Sequence, residues 1–352
     1  MGFIISGIQQ IGIGVKNAEE AWTWYRKHFG MDVPIFKDAS SAPFMIPYTA
    51  GNVEQRYAIL AMNMQGGGGF EIWQYTSRTP NPPSFVPQLG DTGVFAIKMK
   101  SRNVAETYYE LKEKGATLLT SPAKMPDGRL HFFLNDPYGN LFEVVEGLSW
   151  FKEEKKTMGG IGGCVIGVSD IDKALALYQG ILGYTKVVYD VKSVFHDLKG
   201  VNGGENEARR VLLRHEKPRV GAFSKLLGNT ELELVEVKGI TPKKIFKDRL
   251  WGDLGFIHLC FDINGMKDLR ENCKSKGFEF TVDSSQSFDM GKAAGHFTYI
   301  EDPDGTLIEF VETHKIPIIE KLGIYLNLKN RNPEKPLANW MLNLLGLNKV
   351  KD

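Results

Sequence analysis

Apolar and polar side chains along this chain follow two periodicities, that of a β-strand and that of an α-helix, in a fixed order. Residues 8–15 alternate in the manner of a β-strand. Residues 18–29 then place apolar side chains at helical spacing, and Gly30 ends that pattern. Strand-like segments follow at 33–37, 56–63 and 70–76. Together these patterns predict one β-α-β-β-β unit.

The same order of elements is predicted again in the next stretch of chain. A strand at 93–100 and a helix at 103–114, ended by Gly115, precede strands near 117–119, 129–134 and 140–146. Third and fourth units begin near residues 160 and 255. We therefore expect an α+β fold. Its four β-α-β-β-β modules would pair into two half-open sheets, each curled around a cup with its helices outside.

Two stretches of sequence recur in related form in the two halves of the chain. "IGVKNAEEAWTWYRKHFGM" (13–31) reappears as "IGVSDIDKALALYQGILGY" (166–184), and "NDPYGNLFEVVEG" (135–147) reappears as "EDPDGTLIEFVET" (301–313). These motifs resemble those of the vicinal oxygen chelate superfamily, which includes glyoxalase I, extradiol dioxygenases and bleomycin-resistance proteins. The resemblance covers roughly residues 5–315 and implies the same paired-cup fold.

The repeats also suggest a division of the 352 residues. We expect a first glyoxalase-like domain at 1–148, a linker at 149–158, a second such domain at 159–315, and a C-terminal extension at 316–352. In the extension, "PLANWMLNLLGL" predicts an amphipathic helix that packs on its own body or on a partner subunit. Its apolar stripe would consist of Leu337, Trp340, Met341, Leu344 and Leu345.

The resemblance implies a metal ion in the cup, held by side chains of the first and last strand of each unit. Counting back from the helix motifs gives the first-strand positions Gln10, Ala96, Gly163 and His258. The last-strand motifs give Glu71, Glu143, Glu233 and Glu309. Glu231 competes with Glu233 for the third unit. In tandem glyoxalases the first unit pairs with the fourth, and the second with the third. That pairing separates a complete set (Gln10, Glu71, His258 and Glu309) from one in which Ala96 and Gly163 have no side chain that can bind a metal.

Three oxygen ligands and one imidazole suit a divalent ion such as Zn²⁺, Ni²⁺, Co²⁺ or Mn²⁺, with Fe²⁺ less suited. We expect one such ion, with Glu309 and Glu71 as the catalytic carboxylates. Simpler interpretations stay open at this point. A strand glutamate commonly faces solvent, a lone histidine is commonly structural, and Gln10 could only complete a hydrogen-bond network.

Aromatic side chains are expected around the same cup, because side chains two apart on a strand share a face. Trp73 and Tyr75 follow Glu71 in this way, and Phe297 and Tyr299 should face them. Such a lining favours an apolar or aromatic substrate with a few oxygens. Glutathione is not favoured, since Gly14 and Tyr75 stand where the resemblance would place arginine and asparagine.

Three functions fit these features. The first is a metal-dependent lyase or isomerase that transfers a proton on a small α-oxygenated substrate. The second is an extradiol-type ring-cleaving dioxygenase. Gly163 argues against it, because the resemblance expects a histidine ligand at this position. The third is a binding or resistance protein without catalysis, and all three would bind a small molecule as a monomer or homodimer.

Charge and cysteine content limit the kinds of binding partner and the cellular location that we expect. The net charge is +1, with no block of like charges and no apolar run long enough to cross a bilayer, which argues against nucleic-acid or membrane binding. The three cysteines, Cys164, Cys260 and Cys273, form no Cys-x-x-Cys pair. We therefore expect no disulfide framework and a reducing cytoplasmic location.

Overall fold

A computed structural model of the chain describes residues 2–284, 288–289, 294–319, 323–329 and 331–350. The first unit contains β1 (Ile4–Gly14), α1 (Ala18–Phe29), β2 (Val33–Ser41), β3 (Gln55–Met62) and β4 (Gly69–Tyr75). The second unit contains β5 (Gly93–Ser101), α2 (Val104–Glu113), β6 (Thr117–Leu118), β7 (Ala123–Lys124), β8 (Leu130–Asn135) and β9 (Leu141–Glu146). Both follow the order that the sequence pattern predicts, with the two-residue strand β7 added in the second unit.

The second half of the chain repeats this arrangement. The third unit contains β10 (Met158–Gly167), α3 (Ile171–Tyr178), β11 (Lys186–Ser193), β12 (Ala208–Arg214), a short α4 (Ser224–Leu227) and β13 (Glu231–Val237). The fourth contains β14 (Gly255–Asn264), α5 (Met266–Ser275), β15 (Val282–Asp283), β16 (Phe288–Asp289), β17 (Ala294–Glu301) and β18 (Leu307–Ile319). Then come β19 (Ile324–Asn327), α6 (Asn339–Leu344) and a 3₁₀ turn (Leu345–Asn348).

The strands form two curled sheets, and each sheet draws on both halves of the chain. The first has the order β15-β17-β18-β14-β1-β4-β3-β2, which joins the fourth unit to the first. The second has the order β11-β12-β13-β10-β5-β9-β8-β6, which joins the third unit to the second. The predicted pairing of the first unit with the fourth is therefore confirmed. We call these sheets the outer cup and the inner cup.

The repeated motifs connect the two sheets. The hydroxyl of Tyr25 on α1 donates to Oδ2 of Asp136 at 2.7 Å, and that of Tyr178 on α3 donates to Oδ2 of Asp302 at 2.8 Å. All four side chains are buried, so each pair satisfies polar groups that would otherwise be desolvated without a partner. Each bond joins a helix of one unit to the Asp-Pro turn of the next unit along the chain.

The C-terminal extension packs on the body of the protein. Its 3₁₀ turn contacts β2 and β18, Leu337, Leu342 and Leu345 are buried, and Lys349 lies 3.1 Å from Asp32 and 2.9 Å from Glu154. The expected stripe is wrong at Trp340, whose exposure is 65%. The reason is that α6 begins only at Asn339. Leu337 therefore lies before the helix and does not share a helical face with Trp340. No helix among the described residues is long and apolar enough to cross a membrane.

Candidate metal centre

Strand register brings the four predicted ligands of the outer cup to the middle of its sheet. Gln10 on β1 pairs with Cys260 on β14, and Cys260 pairs on its other side with Glu309 on β18. Gly12 on β1 pairs with both Glu71 on β4 and His258 on β14. The four positions therefore lie on four adjacent strands within two residues of one level.

The side chains converge on one point in the cup. Nε2 of His258 lies 3.0 Å from Oε2 of Glu309 and 3.4 Å from Oε2 of Glu71. One ligand atom from each of these three residues lies within 4.8 Å of the others. Nε2 of Gln10 donates to Oε2 of Glu71 at 3.3 Å, which places the amide beside the same carboxylate. All four predicted residues are thus brought together.

Three neighbours fix the imidazole of His258. A Cβ at position 12 would lie 2.7 Å from Nδ1 of His258, so Gly12 leaves the space that the ring fills. The Tyr299 hydroxyl lies 3.3 Å from Nδ1, and the Trp251 ring stacks at 6.5 Å with an angle of 11°. With Nδ1 engaged by Tyr299, Nε2 is the nitrogen left to face the carboxylates, as in histidines that bind metals.

The electrostatics of the cluster favour a positive charge. Burial alone would lower the pKa of His258, but the negative charges of Glu309 and Glu71 outweigh it and raise the pKa to about 9. Burial acts to raise the pKa of Glu309, and the charge of His258 lowers it overall. Two buried carboxylates facing one another require a cation between them, and either a proton or a metal ion supplies one.

Three polar atoms of the cluster make no hydrogen bond within the described part of the chain, although two of them, Nε2 of His258 and Oε2 of Glu309, lie 3.0 Å apart. Oε1 of Gln10, Nε2 of His258 and Oε2 of Glu309 are buried and make no hydrogen bond of ordinary geometry with the described residues. Buried polar groups are otherwise almost always satisfied. The donor set of one imidazole, two carboxylates and one amide is one that first-row divalent ions accept.

A cavity of about 400 Å³ opens beside Gln10, Glu71 and Glu309, which line it. Three of the four predicted substrate-binding residues, Trp73, Phe297 and Tyr299, line it. Tyr75 does not: its hydroxyl donates to the backbone carbonyl of Trp251. Trp251 itself lines the cavity. The Trp251 side chain therefore lies where the alternation of strand residues predicted the Tyr75 ring. Sequence reasoning did not find Trp251, because it lies in a loop where no periodicity applies.

The inner cup contains a lysine where the outer cup has its candidate metal site. Nζ of Lys98 on β5 lies 2.8 Å from Oε2 of Glu143 and 2.7 Å from Oε2 of Glu233, the two predicted carboxylates, and 3.6 Å from Oε1 of Glu231. These four side chains are fully buried. Burial would lower the pKa of Lys98, but the carboxylates raise it, so the ammonium stays charged.

Further polar groups complete the inner cup. Arg210 lies 2.5 Å from Glu233 and 2.6 Å from Asp197, and Nδ1 of His131 lies 2.7 Å from Glu143. A Cβ on Gly163 would lie 2.7 Å from the carbonyl carbon of Glu231, so the backbone leaves no room for a ligand side chain there. The sequence prediction overlooked Lys98. The signal was present, since a lysine in the apolar strand "VFAIKMKS" needs a partner as much as Glu309 does.

Comparisons with known proteins agree with this architecture. The Glyoxalase/Bleomycin resistance protein/Dioxygenase superfamily matches the sequence twice, over residues 7–144 and 160–310. The chain therefore belongs to this superfamily. Comparison with curated proteins gives no match.

Solved structures share the fold at low identity. A mutant of glyoxalase I from Zea mays is 14% identical, covering 87% of this chain and 93% of its own, with a TM-score of 0.55. A putative dioxygenase from Bacillus subtilis is 16% identical, covering 88% and 86%, with a TM-score of 0.56. At this identity the likeness establishes the fold and leaves the reaction to be argued from the site.

Proposed function

We propose that the outer cup is the active site of a glyoxalase-like, metal-dependent lyase or isomerase acting on an α-oxygenated substrate. The observation that carries the proposal is the convergence of Glu71, His258 and Glu309 with Gln10 beside a largely apolar cavity. The unsatisfied atoms of this cluster support one Zn²⁺, Ni²⁺, Co²⁺ or Mn²⁺ ion.

Nε2 of His258, the Glu71 and Glu309 carboxylates and the Gln10 amide oxygen would hold the ion. When bound, the ion would act as a Lewis acid that lowers the energy of negative charge developing on a substrate oxygen. Tyr299 supports this arrangement through Nδ1 of His258. Such a partner fixes the tautomer and the orientation of a ligating ring.

Glu309 is the residue we assign to proton transfer. Its carboxylate is buried and lines the cavity beside Tyr299 and Val311. The lowered pKa keeps Glu309 ionised at neutral pH, which is the state of a base that accepts a proton from a substrate carbon. Glu71 lies on the opposite side of His258 and can return the proton to a neighbouring atom, as an isomerase requires.

The aromatic wall supports the same chemistry. Trp73, Trp251, Phe297 and Tyr299 surround the carboxylates, and an apolar wall excludes water and strengthens electrostatic interactions at the reacting atoms. A ring-cleaving dioxygenase is less well supported, because the cluster offers one imidazole where a facial triad for iron has two.

The test is the substitution Glu309→Gln in protein loaded with metal. We expect solvent-deuterium exchange into, or turnover of, α-hydroxycarbonyl compounds to fall by roughly 10²-fold or more. The control is Glu312→Gln on the same strand, because Glu312 faces away from the cavity and accepts a hydrogen bond from the backbone N–H of Gly265. Activity that is unchanged in Glu309→Gln would refute the assignment. Oxygen consumption with catechols would favour the dioxygenase instead.

A further inference from the structure

The cavity of the outer cup extends well beyond the candidate metal ligands. At about 400 Å³ it lies in the range of sites that bury most of a drug-sized ligand. A substrate of two or three carbons would leave most of it empty. The shape and the lining of the remaining space therefore carry information about the substrate.

Strand register gives the direction of this extension. Glu309, Val311 and Thr313 on β18 all line the cavity, so the cavity follows one face of the strand for about 13 Å. On the other side of the cup, Leu60 pairs with Glu71, and Met62 lies two residues further along β3. Strands β3 and β18 run in the same direction, since two antiparallel and two parallel pairings separate them.

The far end of the cavity is lined mainly by apolar side chains, and Asn348, on the same 3₁₀ turn as Leu345, is a polar lining residue. The group that we call the tail chamber comprises Met62, Phe223, Leu226, Leu227, Ile316 and Leu345. These six residues belong to one hydrophobic cluster, which is distinct from the cluster containing Trp73, Trp251 and Tyr299. Helix α4 reaches the chamber because Gly7 on β1 leaves room for Leu227, and Leu345 comes from the C-terminal extension.

No charged side chain belongs to the tail chamber. Among the described residues that line the cavity, the charged ones are Glu71, Glu309 and Arg56. Arg56 lies on β3 four residues before Leu60, in the direction away from the tail chamber. A charged or strongly polar group in the chamber would be desolvated without a partner, which costs several kcal/mol.

We infer that the substrate of the outer cup is a molecule with adjacent oxygens at one end and an extended uncharged apolar tail at the other. The inference rests on the proposed function for the head group only. The apolar tail is inferred from the side chains that line the tail chamber. Long-chain alkyl or arylalkyl α-hydroxycarbonyl compounds belong to this class, whereas conjugates with a charged peptide or phosphate at the far end do not. The C-terminal extension, through Leu345, becomes a determinant of specificity.

The test uses alkanohydroxamic acids, whose adjacent oxygens chelate divalent metals, on Ni²⁺-loaded protein. Affinities of acetohydroxamate, butanohydroxamate, hexanohydroxamate and octanohydroxamate are measured by calorimetry. Each added methylene should tighten binding about three- to fourfold until the chamber is full. Leu345→Ala should weaken octanohydroxamate by about fivefold and leave acetohydroxamate unchanged. The matched control is Leu347→Ala, two positions away and 65% exposed, which should change neither.

The outcomes separate the chamber from the metal site. If acetohydroxamate binds and chain length has no effect, the tail assignment is overturned while the proposed function stands. Octanamide and hexanamide, which lack the chelating group, are measured in parallel. If octanamide binds as tightly as octanohydroxamate and more tightly than hexanamide, while acetohydroxamate does not bind, the chamber is supported and the metal-dependent function fails. If no probe binds, both fail.

Discussion

Nζ of Lys98 lies 2.7 Å from Oε2 of Glu233 at the centre of the inner cup. With Glu143 at 2.8 Å on its other side, the ammonium stands between two carboxylates that correspond to Glu71 and Glu309 of the outer cup. The two cups thus solve the same electrostatic problem differently. One uses a covalently attached cation, and the other, in our proposal, a bound metal ion.

Replacing Lys98 should therefore have a large effect on stability. Lys98→Met removes the ammonium that Glu143 and Glu233 share and leaves them only His131 and Arg210 as partners. We therefore expect the free energy of unfolding to fall by about 3–5 kcal/mol. Added Mn²⁺ or Zn²⁺ should partly restore the melting temperature by binding in place of the ammonium. Thermal unfolding with and without metal is the measurement.

Lys37→Met is the matched control for this experiment. Lys37 pairs with Glu19 at 2.7 Å on the surface, and its loss should change stability by less than about 1 kcal/mol without any such recovery by metal. A Lys98→Met protein as stable as the wild type would contradict the role of Lys98.

Gly12 should be required for the position of His258. The Cβ of Gly12→Ala would enter the space of the imidazole, and the ring cannot retreat because Tyr299 and Trp251 hold it. We expect metal affinity to fall by about 10- to 100-fold, measured by competition with a chelator. Gly2→Ala is the control, since nothing lies within 4 Å of its Cβ. Unchanged affinity in Gly12→Ala would show that His258 does not bind the ion in this orientation.

The pH dependence of stability should contain a contribution from Asp262. Burial raises its pKa to about 7, and Glu312 adds to this effect while a hydrogen bond with Ser6 opposes it. The pKa of an aspartate in the unfolded chain is about 3.9. Between about pH 4 and 7 the folded state therefore binds more protons, and stability falls as pH rises through this window.

Asp262→Asn is neutral at every pH and should remove that decline. Denaturant unfolding at intervals from pH 4 to 8 measures it, and Asp248→Asn, at an exposed position, should keep the wild-type slope. Parallel profiles for wild type and Asp262→Asn would contradict the buried, protonated state of Asp262 at low pH.

Much of the fold follows from local sequence, because each unit carries its own periodicity and turn signals. The constant length of strand and helix within a unit also locates Gln10, counted from Tyr25, and His258, counted from Gly277. The last-strand motifs locate Glu71 and Glu309. Neither periodicity nor spacing predicts which distant segments of the chain lie in contact. The partners of Lys98, the covering of Tyr75 by Trp251 and the contribution of Leu345 to the cavity depend on contacts between distant segments, which no local pattern encodes.

The metal content of the protein tests the central claim most directly. Protein purified without chelator, or reloaded with Zn²⁺, Ni²⁺, Co²⁺ or Mn²⁺, should contain about one ion per chain by elemental analysis. His258→Ala should abolish that binding, and His131→Ala in the inner cup should leave it intact. A wild-type protein that holds no divalent ion and takes up none, or whose ion survives His258→Ala, would contradict the account.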